Sequence, residues 1–111
     1  MKLIEIIREL GLQVANPDVD LDREVCWGYC SDLLSDVMAH APKDSLWFTI
    51  QVHENVIAVA LLAEVAGVVI TGGRRPEAAT LNRAAAERIP VLLTGETTFV
   101  SAGRLYRLLT G

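Results

Sequence analysis

Two cysteines, two histidines, no long apolar run and no excess of basic charge are what the chain has little of, and each scarcity excludes something. Cys26 and Cys30 are too few for a disulfide framework. With no export signal in view, they are expected to stay reduced in the cytoplasm. Their C-x3-C spacing lacks the second pair that a structural zinc site uses, so no metal is expected, and both read as ordinary buried thiols. The longest apolar stretch runs from Val56 to Ile70, is broken by Glu64 and Gly67, and falls short of the roughly 20 residues that span a bilayer. The opening MKLIEIIREL carries acids inside its apolar run, so it reads as an amphipathic helix and not as a signal peptide. A net charge of -4 favours neither nucleic acid nor an anionic membrane. Motifs of catalysis are missing too: no phosphate-binding G-x-x-x-x-G-K-S/T, no G-x-G-x-x-G and no G-x-S-x-G. No cofactor is implied, and no catalytic residue is named.

What is there fits one domain over residues 1–111. The chain is 51% hydrophobic with a mean hydropathy of +0.34. That is apolar for a lone monomer, so either both faces of a sheet are covered or part of the surface meets a partner. Charge is uneven. Residues 1–66 hold four basic residues against eleven acids, whereas residues 67–111 hold six arginines against three acids.

Leu3, Ile4, Ile7 and Leu10 recur at helical spacing, with Gly11 as the stop. Residues 15–24 are polar, contain Pro17, and read as a connection. Strands are expected at 25–29, 46–52, 68–70 and 89–93. Helices are expected at 31–39, opened by Ser31 or Asp32; at 56–66, opened by Asn55 and closed by Gly67; at 76–88; and at 97–109, opened by Thr97 or Thr98. Alternating strands and helices at this spacing imply an α/β three-layer sandwich, with a mostly parallel sheet of about four strands flanked by helices. Trp27 and Trp47 fall in strands and read as core. Asp32 and Asp36 read as a solvated pair on one helix face.

Ligands of open parallel sheets bind beyond the carboxyl ends of the strands. Those ends are polar here. The turn Thr71, Gly72, Gly73, Arg74, Arg75 is the best anion candidate, since glycines let backbone N–H groups approach a phosphate and two arginines can pair with it. The plain alternative is a tight strand-to-helix turn with solvated arginines. Thr94, Thr97 and Thr98 offer hydroxyls to the same ligand, or cap a helix. His53 and Asn55 end the second strand; His53 is either a base or ligand contact, or it shapes the turn. His40 suits a helix C-terminus.

The segments SDLLSDVMAHAP (31–42), LWFTIQVHENVIAVALLAEVAGVVITGGRRPE (46–77) and IPVLLTGETTFVSAGRLYRLL (89–109) resemble the DRTGG domain family, above all its small stand-alone members. Thr71-Gly72-Gly73 is the nearest match to the tract the family is named for. The resemblance implies a compact α/β fold. It also implies kinship with modules found in phosphate acetyltransferases and beside CBS domains in regulated pyrophosphatases. The N-terminal, non-catalytic domain of HPr kinase/phosphorylase is similar. The expected function is therefore a non-catalytic regulatory or ligand-sensing module. Its ligand would be a nucleotide or phosphorylated metabolite, and it would act through self-association, as a homodimer, or through a partner protein. Two rivals stand beside it: an assembly subunit without a small-molecule ligand, using the helix at 56–66, and a small enzyme using His53.

Overall fold

The structure, a computed structural model, describes residues 1–16 and 18–111; Pro17, read above as part of a connection, lies outside the described residues. Leu3, Ile6, Ile7 and Leu10 fall on one stripe and are buried by the first helix, α1 (Leu3–Leu10). Gly11 ends it at φ 65°, a left-handed conformation that glycine adopts without strain. Four strand–helix units follow: β2 (Trp27–Cys30), α2 (Leu34–His40), β3 (Ser45–Thr49), α3 (Asn55–Ala63), β4 (Gly67–Ile70), α4 (Ala78–Glu87), β5 (Val91–Leu93) and α5 (Thr98–Thr110). One short strand, β1 (Gln13–Val14), precedes them.

The sheet order is β1-β5-β4-β3-β2. β2 to β5 are parallel, and β1 pairs antiparallel with β5 through Gln13↔Leu93 and Val14↔Leu92. The sheet thus has five strands where the sequence suggests four; two residues are too few to show a period. β3 to β5 alternate with the pleat. Trp47, Val68, Ile70 and Val91 point into one core with Val37, Val56 and Ile57. Leu46, Phe48, Val69 and Leu92 point into the other with Leu3, Ile6 and Leu105. Strands sealed on both faces read as continuous apolar runs, which is why they stand out in the sequence. α2, α3 and α4 pack side by side on the first face, and α5 packs on β2, β3 and α1 on the second. The molecule is a three-layer sandwich.

Several element ends differ from the sequence reading, each for a local reason. β3 stops at Thr49 and not at Val52. Asp32 accepts hydrogen bonds from the Thr49 hydroxyl and the Ile50 amide, each at 2.9 Å, which draws the chain off the sheet. Asp32 is therefore a loop residue and not half of a solvated helical pair with Asp36. Leu33 occupies the cap position of α2, while Ser31 Oγ accepts from the Leu33 amide. Glu54, not Asn55, precedes α3, and α3 ends at Glu64 with φ 56°. Gly67 opens β4 instead of closing the helix; a Cβ there would lie 3.3 Å from the Pro90 carbonyl oxygen. Trp47 is core, but Trp27 is 42% exposed and meets Tyr106 edge-on at 5.7 Å. Cys26 and Cys30 are exposed free thiols and not core residues.

Candidate functional site

Winding direction decides where a crevice opens. The chain leaves β4 toward α4 on one face and leaves β5 toward α5 on the other. The carboxyl ends of these two neighbouring strands are therefore the place where the layers part. The candidate residues Thr71, Gly72, Gly73, Thr94, Thr97 and Thr98 gather there.

The two turns are tied to each other. The Gly72 amide donates to the Glu96 carbonyl at 2.8 Å and the Gly73 amide to the Thr94 carbonyl at 2.9 Å. Both glycines need their positive φ, 74° and 73°. Their N–H groups, expected to be free for a phosphate, are thus already used. Thr71 is fully buried, and its hydroxyl lies 2.6 Å from that of Thr98. Thr97 caps α5 by accepting from the Val100 amide at 3.3 Å. Thr94 Oγ accepts from the Glu96 amide at 3.1 Å.

Beside this knot lies a cleft of about 230 Å³, lined by Arg74, Arg75, Gly73, Thr94, Gly95 and Gln13 among others. Both arginines are exposed. Arg74 donates to the Thr71 carbonyl at 3.2 Å, which holds its guanidinium near the cleft. A Cβ on Gly72 would collide with that guanidinium. Among the described residues no carboxylate lines the cleft.

His53 and Asn55 do not join it. They sit at the exit of β3, where His53 Nδ1 accepts from the Asn55 amide at 3.2 Å, so one ring nitrogen serves the turn. Next to them, Val52 O receives the Thr80 hydroxyl at 2.6 Å and the Glu77 amide at 3.2 Å. This moors the start of α4 to the end of β3.

Another titratable cluster lies between β2 and α2. The Tyr29 hydroxyl donates to Asp36 Oδ2 at 2.7 Å, and His40 Nδ1 is 3.2 Å from Asp36 Oδ1. The Tyr29 hydrogen bond, with help from Ser31 and His40, holds the Asp36 carboxyl below its ordinary range. The same bond pushes the Tyr29 phenol up.

A second, apolar cavity is one the sequence reading missed. A groove of about 610 Å³ runs between α5 and the edge strand β2, lined by Trp27, Gly28, Cys30, Phe99, Gly103 and Tyr106 among others. Its signal was present. α5 is apolar on two faces, with Leu105 buried in the core and Phe99 and Tyr106 exposed. Partial desolvation against the groove, and then the Asp32 charge, push the Cys30 thiol up.

A family model for the DRTGG domain matches residues 5–108. The chain belongs to the DRTGG domain family. One solved structure with this domain holds the CBS and DRTGG domains of the regulatory region of Clostridium perfringens pyrophosphatase, complexed with its activator, diadenosine tetraphosphate. It superposes with a TM-score of 0.70 at 16% identity, covering 94% of this chain and 45% of that one. At that identity the likeness speaks for the DRTGG fold; this chain spans less than half of the regulatory region. No curated protein sequence matches the chain. Among the described residues no helix of this DRTGG domain is long and apolar enough to cross a membrane.

Proposed function

We propose that this DRTGG domain is a non-catalytic regulatory module. It senses a nucleotide or phosphorylated metabolite at the Arg74–Arg75 cleft and passes the signal on through self-association or a partner protein. The observation that carries the reading is the cleft's charge. In a chain of net charge -4, two adjacent arginines face one depression, and among the described residues no acid lines it. Guanidinium groups bind phosphate oxygens in bidentate fashion. Enclosed small-molecule sites measure roughly 300–1,000 Å³. At about 230 Å³ the cleft anchors a phosphate group and leaves the rest of the ligand outside. The neighbouring fold's occurrence in a region bound to a dinucleotide activator supports the ligand class.

The test is a thermal-shift titration with adenine nucleotides, diadenosine tetraphosphate, simple phosphorylated metabolites and inorganic phosphate. Ligand at about 100 times its dissociation constant adds roughly 2.7 kcal/mol, a rise of several degrees. The shift is expected in the wild type and absent in Arg74→Ala/Arg75→Ala. Silence with every phosphorylated compound would defeat the ligand half. A second reading, an assembly subunit without a small-molecule ligand, draws on the aromatic residues exposed along α5.

A further inference from the structure

Phe99 and Gly103 lie one turn apart on the outer face of α5. Phe99 is 88% exposed, so the fold makes little use of its ring. Gly103 sits inside the helix, where glycine is a poor choice. A Cβ on Gly103 would find nothing within 4 Å, so no crowding within the described chain demands its absence. Glycine there keeps the helix backbone open to something outside. Around it lies the 610 Å³ groove, walled by Trp27 and Tyr106.

A projecting ring and a matching gap on one face of one helix are self-complementary under two-fold symmetry. We propose that α5 is the self-association surface. A second copy of this chain docks with its α5 antiparallel, and Phe99 of each protomer seats over Gly103 of the other. Charge is complementary across the same contact. Arg107 lies one turn beyond Gly103, and in the partner one turn before Phe99 is the turn that carries Glu96. Both residues are exposed, and neither takes part in an ion pair among the described residues. The docking brings them together twice, once on each side of the axis. Antiparallel helices also set opposite dipole ends side by side.

The surface deepens the self-association half of the function proposed above and rests on that half alone. It is separate from the arginine cleft, so its test needs no ligand, and either idea can fail without the other. Sedimentation equilibrium of the 111-residue chain at high micromolar concentration is expected to give twice the chain mass of 12.1 kDa. Phe99→Ser and Gly103→Leu are each expected to give the single mass. Their circular dichroism should be unchanged, since neither position is packed inside the protomer. Arg107→Glu and Glu96→Arg should each raise the dimer dissociation constant roughly tenfold, because two symmetric pairs are lost at once, and the double swap should restore it. A wild type that sediments as a monomer overturns the proposal. So does a dimer that survives both Phe99→Ser and Gly103→Leu, or a charge swap that restores nothing.

Discussion

Asp36 shows how much one carboxylate can organise. It takes the Tyr29 hydroxyl from β2 and faces His40 one turn along α2, joining strand to helix. Because its folded pKa lies below the ordinary 3.8, the stability it lends is present above 3.8 and is lost as pH falls through the depressed value. Tyr29→Phe removes the leading cause of that depression. Urea denaturation should find the variant less stable than wild type at pH 7, with the gap closing below pH 3.8; a gap independent of pH would point to lost packing instead. Asn16 does comparable work in the core. Its amide donates to the Ile89 carbonyl at 2.6 Å and accepts from the Val91 amide at 2.8 Å. Asn16→Leu strands two buried groups at the start of β5 and should cost about 2–5 kcal/mol in denaturant titration. Neither role is legible in the sequence. An asparagine in a polar stretch reads as loop, and its partners are more than seventy residues away.

Elements were legible where their own residues define them. α1, β4 and β5 follow from periodicity and apolar runs, and cap chemistry narrows the start of α5 to Thr97 or Thr98, of which the structure uses Thr97. Ends were not legible where a distant residue sets them, as Asp32 does for β3 and Pro90 for Gly67. α3 gives a test. Glu64 closes it at φ 56°, donating to the Ala60 and Leu61 carbonyls. A side chain in that conformation costs roughly 1–2 kcal/mol relative to glycine. Glu64→Gly recovers part of this against the extra freedom glycine has when unfolded. A net gain of about 1 kcal/mol should appear as a raised thermal midpoint. A drop would mean that the Glu64 side chain holds something the backbone does not.

At the scale of the whole molecule, both cores are drawn from residues that composition and spacing already mark as apolar, so the layered class could be read in advance. In the structure the Thr71–Arg75 and Thr94–Thr98 turns meet at the carboxyl ends of β4 and β5. Alternation and runs carry no sign of handedness between layers, however. Only the three-dimensional path shows that α5 crosses to the face opposite α4, which leaves the edge strand β2 with an aromatic groove beside it.

The hydrogen bonds that tie residues 72 and 73 to residues 96 and 94 also make a lever. Thr71 is pinned to Thr98, and the next residue is Phe99. A ligand that pulls on Arg74 pulls on a strut whose far end is the first turn of α5. Energy passed along such a strut is reciprocal: a phosphate that tightens the pairing of two copies must itself bind the pair more tightly than the single copy, by the same factor.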